Sequence, residues 1–380
     1  MAQADPSALP RTAITTHDVE AFFQSRRAGL DANLVTRLVD FIEATATSLD
    51  CAIYDLRHPR ILAALKKVAD GGKQVRIVYD GGKARSGGLA GDPKPSGTEE
   101  ALRQAGLLDK ATPVHRGSHL MHNKFLIRDG ARLWTGSANF TVGGLEAQDN
   151  NCLILSDHAI IGHYQTEFTT LLNVDHQHAL AHHQIPATNA LTVPPLPATG
   201  LAAKAYFSPP QGEDVETTVA SLIRTAKKVR VLAFLMSDPG ILQGLDAFKD
   251  LAADIRGIYD PNGMQDVLRY RKGDQSAFWF MKDARFVSAP SHKFNPKGEQ
   301  DFMHNKVMIF DDRVVVTGSY NFSENAELND ENLLVIDSAE LAAAYTAYFE
   351  KLYATYGGKG LAAATPAVPP RRSWWPFRRG

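Results

Sequence analysis

The chain repeats itself, and that repeat constrains the architecture more than any other feature. Tyr54 to Asp80 lies over Phe234 to Asp260 at a shift of 180 residues without gaps. Pro59 then meets Pro239, Ile61-Leu62 meets Ile241-Leu242, and Val78-Tyr79-Asp80 meets Ile258-Tyr259-Asp260. Met121 to Phe140 lies over Met303 to Phe322 at a shift of 182, with eleven of the twenty positions identical. A chain of 380 residues built this way is expected to fold as two similar halves.

Each half shows the same order of patterns. A helix is expected over about Leu34 to Ser48 and over about Val215 to Lys228. Apolar strands follow at Cys51 to Tyr54 and Val229 to Leu235. A second helix starts near Pro59 or Pro239, where proline suits a first helical turn. A strand ending in Tyr-Asp, a polar stretch and an apolar strand pair complete the unit. Alternating helices and strands imply α/β domains whose sheets are covered on both faces. The expected domains are 14–184 and 201–360, joined by a proline-rich linker at 185–200 and followed by a basic aromatic tail at 361–380.

Each half also carries His-x-Lys, four residues, Asp, six residues, then Gly-Ser-x-Asn. These are His122, Lys124, Asp129, Gly136, Ser137 and Asn139, and then His304, Lys306, Asp311, Gly318, Ser319 and Asn321. Residues two apart on a strand share a face, so each His and Lys point the same way. Asp129-Gly130 is a two-residue hairpin signal that would bring Gly-Ser-x-Asn back beside the His-Lys face. Glycine allows close backbone approach, and Ser and Asn add donors. Two such sets facing each other would complete one phosphate site. Two lysines and two asparagines hold the non-bridging oxygens, one imidazole attacks phosphorus, and the other serves the leaving oxygen and then water. The lysines supply the positive charge, so no metal and no cofactor are expected. Asp129 and Asp311 sit where the hairpins turn, which favours a structural over a catalytic role.

At these residues the chain resembles the phospholipase D superfamily, over about Leu34 to Glu350. The resemblance implies two α/β/α sandwiches about a pseudo-two-fold axis, with one active site at their junction. It implies reaction through a phosphohistidine, and by chain order His122 as nucleophile with His304 as acid/base. It also implies a downstream acidic residue that orients the histidine. In Asn329-Asp330-Glu331-Asn332 this residue is Glu331. In the first half, strand alignment sets Asn150 opposite Glu331, whereas the ungapped shift sets Asp149 there. A carboxylate raises imidazole basicity more than an amide does, so His304 remains the alternative nucleophile. The expected substrate is a phosphodiester: a phospholipid headgroup first, single-stranded nucleic acid as the alternative, and phosphatidyl transfer of the cardiolipin-synthase kind third. The expected molecule is a monomer with an internal pseudo-dimer site.

Other signals are weaker. Apolar residues are 44%, charged residues 22% and net charge is −1, which fits a globular protein and gives no support to duplex binding by bulk charge. Cys51 and Cys152 lie in apolar runs and read as buried thiols. Met1 to Arg11 has no apolar core and no run is long enough to span a bilayer, so the expected location is cytoplasmic. Tyr79-Asp80 and Tyr259-Asp260 either line the cleft or pack strand ends, and His115 and His119 either rim the site or belong to a plain loop. His163, His176, His178, His182 and His183 read as a solvated helix end rather than a metal site. Arg269 to Gln300 holds basic residues interleaved with Phe278, Trp279, Phe280 and Phe294. It reads either as an extra strand with a solvated loop or as a substrate rim whose aromatics stack bases or touch acyl chains. The Arg371 to Arg379 tail, with Trp374 and Trp375, is either a free end or a peripheral contact with an anionic membrane.

Overall fold

The computed structural model describes residues 13–15, 18–82, 97–173, 202–250, 252–270, 275–292 and 298–358. The linker at 185–200, the tail, His176, His178, His182, His183, Arg271, Lys272, Lys293, Phe294 and Lys297 lie outside the described residues.

The first half runs β1 (Ala13–Thr15), β2 (Val19–Gln24), α1 (Leu34–Glu43), β3 (Ser48–Ile53), α2 (Pro59–Asp70), β4 (Gln74–Asp80), α3 (Thr98–Gln104), β5 (Ala111–Val114), β6 (Lys124–Arg128), β7 (Arg132–Gly136), α4 (Val142–Glu146), β8 (Asn150–Leu155) and α5 (His158–Leu172). The second half runs β9 (Ala203–Ser208), α6 (Gly212–Thr225), β10 (Lys228–Ala233), α7 (Pro239–Leu245), β11 (Asp254–Tyr259), α8 (Pro261–Tyr270), β12 (Phe286–Ser288), β13 (Lys306–Phe310), β14 (Val314–Gly318), α9 (Glu324–Leu328), β15 (Glu331–Asp337) and α10 (Ala339–Thr355).

The two sheets have one topology. The first is ordered β1-β2-β8-β7-β6-β3-β4-β5 and the second β12-β11-β10-β13-β14-β15-β9. Read from opposite ends, they match strand for strand, with β1 as the addition. In each, a parallel trio (β3, β4, β5; β10, β11, β12) adjoins an antiparallel set led by the motif hairpin. Each sheet is packed on both faces. One core holds β3 and β4 with the apolar stripes of α1 and α2, and its counterpart holds β10 and β11 with α6 and α7. A third core draws on both sheets and on α5 and α10, which fill the space between them. Tyr164 of α5 packs edge-on to Phe207 of β9, while Tyr345 and Tyr348 of α10 pack on Phe23 of β2. These are two α/β/α sandwiches whose inner faces form a shared core.

Local chemistry accounts for the helix starts. His58 caps α2, its Nδ1 accepting from the Arg60 amide, and Asp238 caps α7 by accepting from Ile241, with proline next in both. The ends differ from the sequence-based expectation. α1 stops at Glu43, well short of Ser48, and α6 stops at Thr225. The cause is the motif aspartate. Asp129 takes a left-handed conformation (φ 55) at the hairpin turn and accepts from the amides of Ala46, Thr47 and Ser48 and from the Thr47 hydroxyl at 2.7–3.0 Å. Asp311 (φ 51) accepts from the amides of Lys227 and Lys228, each at 2.8 Å. Each aspartate holds the approach to its central strand in a loop, so no helix can continue there.

Burial works against ionisation of Asp129, yet those donors hold its carboxyl down to about 2. The charged form is therefore favoured in the folded state. Its contribution is fully present above the ordinary aspartate pKa and is lost as pH falls through about 2. Asp129→Ala should lower unfolding free energy by about 1–3 kcal/mol at pH 7 in urea titrations. An unchanged midpoint would contradict this role.

Candidate active site

The two motifs meet across the junction of the halves, joined by paired backbone bridges. Met121 pairs with Asp330 and Asp149 with Met303. The His122 amide donates to the Asp330 carbonyl at 2.9 Å, and the His304 amide donates to the Asp149 carbonyl at 3.0 Å. Equivalence at a shift of 181 follows from the next turn. The Ser137 and Ser319 amides donate to the carbonyls of Asn151 and Asn332, and the amides of Asn151 and Asn332 return bonds to the serine hydroxyls. Asn150 therefore corresponds to Glu331, and Asp149 to Asp330.

The histidine partners are exchanged between halves. His122 Nδ1 lies 2.8 Å from both carboxylate oxygens of Glu331. His304 Nδ1 lies 3.1 Å from Oδ1 of Asn150. Two sequence-based expectations are corrected here. Glu331 orients the histidine of the other half, not its own. Asp149 does not reach a histidine; its carboxylate accepts from the Tyr356 hydroxyl at 2.5 Å. The crossing arises because the loops carrying Asp149 and Asp330 run beside the opposite motif strand.

The lysines are fully buried beside the histidines. Lys124 Nζ donates to the His122 carbonyl at 2.5 Å and Lys306 Nζ to the His304 carbonyl at 2.6 Å. One N–H of each ammonium is thereby fixed. Tyr54 and Phe234, equivalent in the repeat, wall the site. Each ring lies edge-on to its histidine, with centroids at 4.7 and 5.4 Å, and beneath its lysine at 5.1 and 5.5 Å. Sequence reading aligned this pair without giving it a role. The signal available was an aromatic at the same place in both repeats.

Gly136 (φ 147) and Gly318 (φ 151) meet the glycine expectation. A Cβ at either would stand 2.3 Å from the carbonyl oxygen of Asn151 or Asn332. The serines lie one layer further out. Ser137 donates to Asn150 at 2.7 Å, so it steadies the partner of His304. Asn139 and Asn321 each keep a buried side-chain oxygen without a protein partner.

A second network, not anticipated from sequence, locks the halves. Asn151 donates to Asn305, the residue between His304 and Lys306, at 2.8 Å, and Asn332 donates to Asn123 at 2.8 Å. Thr317 and Tyr345 donate to Asn151, while Thr135 and Tyr164 donate to Asn332. A buried Arg116–Asp330 ion pair at 3.0 Å adds an asymmetric cross-link.

Electrostatics follow first from burial and then from neighbouring charges. Desolvation, then the charges of Lys124 and Lys306, holds His122 well below the ordinary imidazole range. Desolvation, then Lys306, Lys124 and His122, does the same to His304. Lys124 is drawn down to about 7 by burial, against the pull of Glu331, Asp55 and Asp80. Lys306 is drawn well down by burial and by Lys124. Glu331 is pushed up to about 8 by burial. Burial thus disfavours the charged forms of these groups in the empty site, and an anionic centre held between the lysines would favour the protonated ones.

Other candidates fall elsewhere. Phe278 and Phe280 are buried in the core around Tyr259 and Phe286, so the reading of these two as a stacking rim is corrected; the segment forms a 3-10 helix, Ser276–Lys282, and the edge strand β12. Asp80 accepts from the Met121 amide, and Asp260 from Gly263 and Ser291. Both therefore organise loops beside the site. Cys51 and Cys152 are free and buried. Among the described residues, no helix is long and apolar enough to cross a membrane.

A composite α/β site with two-fold-related His-Lys pairs is the class that this fold defines. Residues 38–172 and 219–353 each match the family model described as "Cardiolipin synthase, PLD-like domain", and the chain belongs to this phospholipase D-like family. It is 28% identical over 137 residues to a mitochondrial cardiolipin hydrolase of Chlamydomonas reinhardtii, covering 36% of this chain and 56% of that protein. It is 29% identical over 136 residues to the Xenopus tropicalis protein of the same name, covering 36% and 60%. The chain thus spans little more than half the length of these relatives. A phospholipase D of Rickettsia bellii is 54% identical over 43 residues, 11% of this chain and 21% of that one. The fold is like that of a phosphatidylserine synthase from Haemophilus influenzae, with TM-score 0.63 and 14% identity over 90% of this chain and 88% of that one.

Sulfate, whose charge is constant near neutrality, should bind this site most tightly below about pH 7 and weaken as Lys124 loses its proton. Lys124→Gln should abolish the binding. Affinity unchanged from pH 6 to 9 in calorimetry would contradict the assignment of these charges.

Proposed function

We propose that this chain hydrolyses phosphodiester bonds through a covalent phosphohistidine on His122, with His304 as general acid and then base. The observation that carries the reading is the exchanged pairing: a carboxylate on His122 and an amide on His304. With Nδ1–H held by Glu331, His122 presents Nε2 as the lone-pair nitrogen, and the carboxylate stabilises the imidazolium that forms as the N–P bond is made. Asn150 offers His304 no charge, which leaves that ring free to give up a proton to the leaving oxygen. Burial and then repulsion from the lysines keep His304 neutral in the empty site; the negative charge of a phosphodiester between Lys124 and Lys306 opposes both, so the ring can be protonated when substrate is bound. His304, left neutral by that transfer, takes a proton from water as the water oxygen attacks phosphorus and the N–P bond breaks. The lysines hold the non-bridging oxygens, so positive charge comes from the chain itself.

Hydrolase names among the relatives support a phosphodiesterase reaction, and the cardiolipin hydrolases and phospholipase D favour a phospholipid headgroup. Burial of Phe278 and Phe280 removes two of the aromatics that would have served a nucleic-acid rim. A phospholipid substrate also gives the basic aromatic tail a use at a membrane surface.

His122→Ala and His304→Ala should each lower kcat by about 10³-fold or more, and Glu331→Gln by about 10²-fold, with folding retained. Near-normal turnover in either histidine variant would mean that the halves do not share one site. Assayed well below the melting temperature, activity should survive EDTA; complete loss restored by a divalent ion would remove the lysine-only mechanism. Anionic phospholipid vesicles and single-stranded nucleic acid, tested in parallel with wild type and His304→Ala, decide the substrate. Headgroup release lost in the variant is expected; nucleic-acid cleavage with intact lipid would overturn the lipid reading.

A further inference from the structure

Behind the second motif, and outside the catalytic cleft, three carboxylates converge from three helices. Glu216 of α6, Asp238 at the cap of α7 and Glu327 of α9 bring one carboxylate oxygen each to within 4.8 Å of one another. Among the described residues, no lysine, arginine or histidine forms an ion pair with any of them. Asp238 is wholly buried; one of its oxygens caps Ile241 at 3.0 Å, the other meets no N–H or O–H donor, and its carboxylate lies against those of Glu216 and Glu327 and adds to burial in raising the pKa of both. The Tyr320 hydroxyl, also buried and without a partner, lies within electrostatic reach of all three carboxylates. Bare buried oxygens beside like charges are costly unless a counter-charge joins them.

The other half shows what normally fills this place. At the shift of 180, Asp238 corresponds to His58, Glu216 to Thr36 and Gly240 to Arg60. His58 Nε2 lies 2.9 Å from Glu146 of α4, so the first half closes its cap with one histidine and one carboxylate. The backbone beneath is the same in both: the His58 and Asp238 amides donate to the carbonyls of Phe140 and Phe322 at 2.9 and 3.1 Å. The second half has lost the imidazole and gained two acids. Its Gly240 makes room for one of them, since a Cβ there would stand 1.8 Å from Oε1 of Glu216.

We propose that Glu216, Asp238 and Glu327 bind a divalent cation of the calcium class, which clamps α6, α7 and α9 behind the Gly318–Asn321 turn. All-oxygen ligands suit a hard cation, and carboxylate oxygens 2.3–2.6 Å from calcium can lie up to roughly 5 Å apart. Glu216 and Glu327 are only half buried, so water completes the shell. The cation takes no part in bond breaking; its role is to hold the turn that carries Ser319 and Asn321.

Calorimetry on the full chain, stripped of metal and titrated with calcium or magnesium, tests this without an activity readout. One calcium site and a raised melting temperature are expected. Glu216→Gln and Glu327→Gln should each weaken calcium binding more than about tenfold. Asp301→Asn, in the separate His292–Glu299–Asp301 cluster, should leave it unchanged. In the metal-free state, Glu216→Gln should melt above wild type because repulsion is relieved. Terbium luminescence excited through tyrosine should fall in Tyr320→Phe, which keeps the ligands. No calcium or magnesium binding up to about 10 mM by a folded chain would overturn the proposal, as would affinity unaffected by both glutamine variants.

Discussion

The exchange of histidine partners between halves is the constraint on which the rest depends. His122 leans on Glu331 and His304 on Asn150, and neither partner belongs to the same repeat as its histidine. Either half alone would leave its histidine without the group that sets its tautomer. The shared core around α5 and α10 and the Asn151–Asn305 and Asn332–Asn123 bonds hold the two repeats at the one spacing where this exchange works. The asparagine between His and Lys in each motif is thus a joint, while its neighbours are the site.

Near-symmetry creates the pocket and its breakdown assigns roles. Two lysines, two glycine turns and two aromatic walls repeat. Glu331 against Asn150 does not, and neither does the Arg116–Asp330 pair. Glu331, Asp55 and Asp80 pull on Lys124, while the two buried lysines repel both histidines. Burial is the first reason both histidines and both lysines sit low in pKa, neighbouring lysine charges add to it at the histidines and at Lys306, and a bound phosphate group would oppose both effects.

Much of this was legible in the sequence because repeats and hairpins are local. Asp129-Gly130 specified its turn, Pro59 and Pro239 marked helix starts, and the doubled motif indicated a joint site. Long-range bonds were not legible. α1 ends early because Asp129, more than eighty residues away, takes the amides of Ala46 and Thr47. The ungapped repeat set Asp149 opposite Glu331 and the strand alignment set Asn150 there; Asn150 is the equivalent residue, and the histidine it reaches is His304 of the other half. Phe278 and Phe280 looked like a rim because an irregular polar segment surrounds them, yet they fill the end of the sheet core.

The most direct test of the account is rapid-quench trapping with bis(p-nitrophenyl) phosphate, whose leaving group needs no proton, in the His304→Asn variant. A burst of one p-nitrophenol per chain, with the p-nitrophenyl phosphoryl group mapped to His122, is the expected result. The same group on His304 in wild type, with none on His122, would contradict it.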